Sequence, residues 1–398
     1  MTRVLFLTES FHPTLGGGET HIRRLGAALV RAGDAATVVT RQADPAWPAE
    51  ETLDGLRVLR VGTPGPARTG KYGMLPAAFR TARRELARHD VLVVRGTRVL
   101  GLPGLLAARA RERPVVLQPE INGELSGEAF TWGKPWERGV LGAAVRDAVA
   151  ARNWLLRDAD GFVAMSRQIQ DEMRAAGIPR ERIRLLPHGV DVERFRPAEP
   201  PERQTLRARL GLPEGVLAVY SGRLLRGKGL ETLVDAMASP ALPEALRLVL
   251  LGSGEGQLDV ESELLRRVSE RGLNERVVFA GRVENVADHL RAADLFVFPS
   301  LFEALGIALV EAAACGLPAV ASRTGGIVDV VDHDRSGLLV APGSAPALAA
   351  ALAALAADPG RRAAMGREAR GVAVSRFDER DVLERYRALF REVAAPRA

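Results

Sequence analysis

The chain of 398 residues has a single cysteine, Cys315, which excludes an intramolecular disulfide and fits a reducing compartment. Cys315 lies among alanines in an apolar helical stretch and reads as buried packing. No apolar run approaches the roughly 20 residues that span a bilayer. The N-terminal MTRVLFLTESFHP meets Glu9 too early to supply a signal-peptide core; it reads as a first strand, and the expected location is the cytoplasm. Zinc-finger, RNP-type and basic-zipper spacings are absent, and the arginines are spread along the chain. The net charge of +6 therefore does not by itself argue for nucleic acid, and none is expected as a partner. The G-x-G-x-x-G of dinucleotide binders is missing too, which counts against a dehydrogenase.

What is present is alternation. Val4–Thr8, Ala36–Thr40, Val58–Val61, Val91–Val94, Val115–Leu117, Phe162–Ala164 and Ile183–Leu186 are short apolar runs separated by helical segments such as Glu19–Ala32 and Leu75–Arg88. That pattern predicts a parallel sheet covered on both faces. The proline- and charge-rich FRPAEPPERQ, Phe195–Gln204, reads as a linker. The alternation then restarts with Val216–Tyr220, Leu248–Leu251, Val277–Phe279, Leu295–Phe298, Ala319–Ala321 and Leu338–Val340. A chain this long exceeds one hydrophobic core. The expectation is α/β: two doubly wound Rossmann-like domains facing across a cleft, 1–197 completed by a C-terminal helix 377–398, and 204–376. Ligands then belong at the strand-to-helix loops.

Three loops carry chemistry. After the first strand, Gly16, Gly17 and Gly18 let a ligand approach the backbone ahead of a helix N-terminus, or simply make a tight turn. After the first strand of the second domain, Arg223 and Lys228 flank a glycine-rich loop. Two cations there can clamp a diphosphate and replace Mg²⁺ as stabiliser of a leaving group; a solvated basic turn is the alternative. In PSLFEALGIALVEA, Glu303 and Glu311 stand eight residues apart. Gly306 should open the helix, leaving Glu303 in the loop and Glu311 on the second turn. Glu311 then suits ribose hydroxyls, Glu303 the hydroxyls of a transferred sugar, and the free amides of Leu305 to Ile307 a diphosphate.

Together with LLPHGVDVERFRP, VVFAGRV and GGIVDVV…SGLLV, these motifs resemble glycosyltransferase family 4, retaining enzymes of GT-B fold, over almost the whole chain. The resemblance implies a metal-independent transferase taking a nucleotide-sugar, UDP- or GDP-linked, with no further cofactor. It assigns Arg223 and Lys228 to the diphosphate, Glu311 to ribose, Glu303 to the sugar with Ala304 to Ile307 alongside, and the backbone at Arg282 and Val283 to the nucleobase. It also implies that the C-terminal helix packs on the first domain. Many members place a histidine after the fifth strand; here VVLQPEINGELSG offers Gln118 and Glu120. These, with His12 and Arg95, are acceptor-side candidates, the acceptor being a small molecule, a glycan or a lipid. His188 sits in a family-typical loop. Arg95 and Arg98 follow the fourth strand, where they can meet an anionic acceptor or simply lie exposed on the surface.

Two Asp-x-Asp triplets, Asp158–Asp160 and Asp332–Asp334, are short enough to arise by chance, so no metal site is expected. The helix Leu75–Arg88 reads either as a Rossmann packing helix or as a basic amphipathic helix resting on the inner face of a membrane. A nucleotide-sugar epimerase and a non-catalytic basic binding protein stand as the competing functions.

Overall fold

The computed structural model describes residues 1–14, 16–65, 70, 72–131, 139–254 and 259–395. The chain divides into two compact units, Met1–His188 with Arg380–Ala398, and Gly189–Glu379. The sheet of the first unit contains β1 (Arg3–Leu7), β2 (Ala35–Arg41), β3 (Glu50–Leu53), β4 (Leu56–Val61), β5 (Val91–Arg95), β6 (Val115–Gln118), β7 (Gly161–Ala164) and β8 (Ile183–Leu185). Their order is β3-β4-β2-β1-β5-β6-β7-β8. All neighbours pair in parallel except β3, which runs antiparallel on the edge. The second unit has β9 (Val216–Ser221), β10 (Leu246–Leu251), β11 (Val277–Gly281), β12 (Leu295–Phe298), β13 (Ala319–Ser322) and β14 (Gly337–Val340). They form a fully parallel sheet in the order β11-β10-β9-β12-β13-β14. Each unit is thus a Rossmann-like sheet, as the sequence pattern predicts.

The continuous Val/Leu runs fill the inner strands because helices cover both faces of a parallel sheet. Val4, Leu5, Phe6 and Leu7 are no more than 1% exposed, and each such side chain stabilises the fold by about 1.5–3 kcal/mol. β3 has no apolar run: its EETL alternates exposed and half-buried and pairs with β4 through a two-residue Asp54-Gly55 turn. Both turn residues have positive φ, 51° and 84°, as a tight hairpin requires.

The last helix, Glu379–Ala394, completes the first unit. Phe390 meets Phe6 edge-on with ring centroids 6.3 Å apart. The Arg387 guanidinium donates to Asp34 at 2.8 Å, whose other oxygen accepts from the Thr2 amide. Helix Leu75–Glu85 buries Ala78 and Ala82, with Leu86 buried just beyond it, and packs on helix Thr97–Arg109. It is thus a packing helix, with Arg80, Arg83 and Arg84 on its exposed side. No helix among the described residues is long and apolar enough to cross a membrane.

The proline-rich stretch is not a linker. Pro200 opens helix Pro200–Arg209, a position where proline's missing N–H costs nothing. The chain passes between units at His188/Gly189 and again at Glu379/Arg380, earlier than the 197/204 boundary read from the sequence. Asp294 anchors the helix. Its carboxylate accepts from Arg207 at 2.7 Å, Arg203 at 3.3 Å and the Leu217 amide at 2.7 Å. Removing a carboxylate with these partners, as in Asp294→Ala, should lower stability by about 2–3 kcal/mol. Urea unfolding checks this, and an unchanged midpoint would show that the helix is held by apolar contact alone.

Candidate functional site

From β9 the chain turns one way to β10 and β11, while β12, β13 and β14 lie on the other side. The loops after β9 and β12 therefore diverge and open a crevice at the carboxyl end of the sheet, where ligands of such folds bind. Backbone contacts set the two loops against each other. The Leu301 amide donates to the Gly227 carbonyl at 2.9 Å. Gly229 has φ 68°, and a Cβ there would stand 2.0 Å from the Pro299 carbonyl oxygen, so no other residue fits. This docking brings the Lys228 ammonium 2.7 Å from a Glu303 carboxylate oxygen, with side chains 26% and 14% exposed. Ser300 Oγ donates to the same oxygen at 3.4 Å, and the ammonium lies 6.0 Å above the Phe298 ring. Arg223, on the same loop, is exposed; its carbonyl accepts from the buried Tyr220 hydroxyl at 3.0 Å. Burial, reinforced by Glu303, raises the pKa of that hydroxyl and keeps it neutral.

Beyond Glu303 the chain is clamped again. The Gly326 amide donates to the Glu303 carbonyl at 3.0 Å, and a Cβ on Gly326 would come 2.2 Å from the Ala304 oxygen. Helix Ile307–Ala314 starts after Gly306 at φ 87°, with no side-chain cap. Its first amides are thus left to a ligand or solvent rather than to a capping hydroxyl. Glu303 is in the loop and Glu311, half-buried, on the second turn. Leu305 is buried, and Ala304 and Ile307 are half-buried around the helix start. Arg282 and Val283 follow β11, two strands from β9, roughly 10 Å along the rim at the usual strand spacing.

The first unit has its own switch point, between β1 and β5. Helix Gly17–Arg31 starts at Gly17 with Gly16 as its cap, two residues before the expected Glu19. Arg95 corrects the surface reading: it is 3% exposed, the last residue of β5. Its guanidinium donates to the Gly18 carbonyl, and a Cβ on Gly18 would lie 2.4 Å from it. A side chain at 18 would have to displace the Arg95 guanidinium from this carbonyl. Arg95 also faces Glu120 at 3.6 Å. Gln118 is 2% exposed, and its amide donates to the Tyr386 hydroxyl at 3.3 Å; it ties the last helix to the sheet instead of facing outward. His12 is half-buried 3.4 Å from Arg23, and burial together with Arg23 lowers its pKa. Arg98 stands 5.8 Å from the Phe130 ring. The buried His188 ring stacks on His21 at 3.9 Å, and burial, with Arg95 nearby, holds both neutral. His21 had no sequence signal beyond its place one turn into the helix.

Two family models cover the chain in series: "Glycosyl transferase 4-like domain" over residues 16–189 and "Glycosyl transferases group 1" over residues 202–372. A D-inositol 3-phosphate glycosyltransferase of Xylanimonas cellulosilytica is 34% identical over 89% of this chain and 87% of its own. The chain belongs to glycosyltransferase family 4. A GDP-mannose-dependent alpha-(1-6)-phosphatidylinositol monomannoside mannosyltransferase of Mycobacterium tuberculosis is 31% identical over 92% of both chains. Among solved structures, sucrose-phosphate synthase of Thermosynechococcus elongatus superposes with TM-score 0.82 at 26% identity, covering 98% of this chain and 99% of that one. Anabaena HepE, solved with UDP-glucose, gives 0.78 at 23% identity over 98% and 100%, a likeness of fold.

In this glycosyltransferase three of the Asp-x-Asp carboxylates, those of Asp158, Asp332 and Asp334, face arginines. Asp158 meets Arg109, Asp332 meets Arg376 at 3.1 Å and Asp334 meets Arg361 at 3.2 Å. Asp160 accepts from the Val115 amide at 2.8 Å. Among the described residues no three metal-ligating side chains converge. Cys315 is buried, and burial raises its thiol pKa and keeps it inert. The glycine fit at 229 gives a direct test. Gly229→Ala should separate the two loops and reduce turnover on the order of 100-fold with unchanged far-UV circular dichroism. Wild-type turnover in that variant would mean the loops are not held by this contact.

Proposed function

We propose that the enzyme transfers a hexosyl group from a nucleotide-sugar to a hydroxyl, with retention of configuration and without a metal ion. The observation that carries this reading is the crevice between β9 and β12. The loop after β9 carries two cations, Arg223 and Lys228, and the loop after β12 leads into an uncapped helix N-terminus, the two loops being joined by the Lys228–Glu303 pair. Charge grows on the diphosphate as the sugar leaves. Fixed cations and oriented amides stabilise that charge with little reorganisation, as a metal ion otherwise would. Lysine has three N–H donors, so Lys228 can keep one on Glu303 while giving another to a phosphate oxygen. Glu303 is then placed next to the diphosphate, on the sugar, without net repulsion.

Along the rim, Arg282 and Val283 border the nucleobase, Glu311 takes the ribose hydroxyls and Glu303 those of the sugar. In the first unit, Gly16 to Gly18 leave the backbone at the start of helix Gly17–Arg31 open to a ligand. The leaving phosphate accepts the acceptor's proton, so no side-chain base is required. Both relatives of about 31–34% identity carry inositol in their names, which favours a polyol-containing acceptor.

The experiment is a transfer assay with UDP-, GDP- and dTDP-sugars and a panel of polyols, with product configuration read by NMR. Transfer with retention, surviving EDTA, is expected. Conversion of donor to an isomer without acceptor would identify an epimerase. Salt-sensitive binding to polyanions with no nucleotide-sugar affinity would identify a binding protein. In the same assay Glu311→Gln should cost about 1.5–3 kcal/mol of nucleotide affinity through one lost charged hydrogen bond. Glu303→Gln should spare or strengthen nucleotide binding, because Lys228 is released from its partner, yet lower turnover. Equal loss of nucleotide affinity in both variants would sink this division.

A further inference from the structure

We propose that Glu120 is the residue that hydrogen-bonds a hydroxyl of the polyol acceptor, and that Arg95 holds it in place for this task. The inference rests on the transferase reading above and adds the group that selects the acceptor. Glu120 lies two residues beyond the end of β6, on the carboxyl rim of the first unit's sheet, one strand from the β1/β5 switch point. The adjacent Gly96 gives it room: with φ 76°, a Cβ there would stand 3.3 Å from a Glu120 carboxylate oxygen.

The polar side chains around it are occupied internally. Glu124, 2% exposed, accepts from the Glu120 and Ile121 amides with one oxygen. Its other oxygen accepts from the Thr97 hydroxyl and the Arg98 amide. Four donors on one buried carboxylate fix the loop that presents Glu120. Arg95 is spent on Gly18 and Gln118 on Tyr386. Glu120 differs: its side chain is 33% exposed, and Arg95 at 3.6 Å is its one ion pair among the described residues. Arg95 Nε, buried and aimed at this carboxylate, has no hydrogen-bond partner. Glu120 is thus held from inside and open outward.

The charges around it decide the ligand class. Arg95 from β5 faces it as a cation, while Glu124 on its own loop, Glu19 on helix Gly17–Arg31 and Glu9 after β1 face it as carboxylates. An anionic group would meet net repulsion here, so the diphosphate and any acceptor phosphate belong elsewhere. A neutral hydroxyl meets none. Burial, opposed by Arg95 and reinforced by the three carboxylates, moves the Glu120 pKa up to about 7. Above that pH the carboxylate accepts a hydrogen bond from the hydroxyl; below it the carboxyl is itself a donor and competes less well as an acceptor. Acceptor use should therefore rise with pH through about 7 and level off above it.

The test compares wild-type enzyme with Glu120→Gln and Glu120→Asp. Three quantities are read: kcat/KM for the polyol between pH 5.5 and 8.5, nucleotide Kd by calorimetry, and melting temperature. Glu120→Gln, isosteric but unable to ionise, is expected to raise acceptor KM about tenfold or more, to flatten the pH profile and to leave nucleotide Kd and melting temperature unchanged. Glu120→Asp should restore the pH-dependent limb in part. An unchanged acceptor KM and profile in Glu120→Gln would overturn the assignment. So would a fall in nucleotide affinity or melting temperature matching the loss of activity, because the Arg95–Glu120 pair would then be only a brace for the Gly18 turn. Failure of the wild-type enzyme to transfer to any polyol would be seen before any variant is made and would remove the underlying reading instead.

Discussion

Residue 229 has no space for a side chain. Its Cα lies against the Pro299 carbonyl, with the backbone in the left-handed region where only glycine is comfortable. Through that contact and the Leu301–Gly227 hydrogen bond, the loops leaving β9 and β12 meet instead of splaying apart. Everything proposed for the donor depends on this. Lys228 reaches Glu303 because the loops touch, Arg223 lies on the same β9 loop, and the uncapped helix after Gly306 begins just beyond Glu303. A doubly wound sheet supplies the crevice, but the glycine supplies the closeness that turns cations on one loop and a carboxylate on another into one site.

The two units share a topology and differ in charge at the same topological point. In the second unit the switch point presents cations and an uncapped helix N-terminus, a setting that suits a diphosphate. In the first unit the cation facing Glu120, Arg95, is buried and already bonded to the Gly18 carbonyl, and Glu124, Glu19 and Glu9 face Glu120 as carboxylates. That charge balance is the basis for proposing that this end takes a neutral hydroxyl rather than an anion. The proposed donor and acceptor chemistry thus separates by unit, from residues that each unit holds on its own.

The strands were legible because parallel inner strands are continuous Val/Leu runs, and every run expected in the sequence is a strand. β3 escaped because EETL sits on a polar edge; the Asp54-Gly55 pair was the signal that could have revealed it. FRPAEPPERQ looked like a linker by composition, whereas Pro200 marks the start of a helix whose Leu206 packs with Ala198 and Ala292. The loop position of Glu303 and the second-turn position of Glu311 followed from Gly306. The pairing of Lys228 with Glu303 did not, because partners 75 residues apart are joined only by the sheet order. Arg95 was misjudged for the same reason. A charged residue at a strand end reads as exposed unless its distant partners, Gly18 and Glu120, are known.

The proposed donor chemistry requires the β9/β12 crevice to be the diphosphate site. The most direct measurement is a crystal structure with UDP or GDP bound. It should show a phosphate oxygen within hydrogen-bonding distance of Lys228 Nζ and another at the amides that open helix Ile307–Ala314, with Glu303 kept on the far side of the lysine. A nucleotide bound elsewhere, with Lys228 engaged only by Glu303 and the helix start facing solvent, would contradict it.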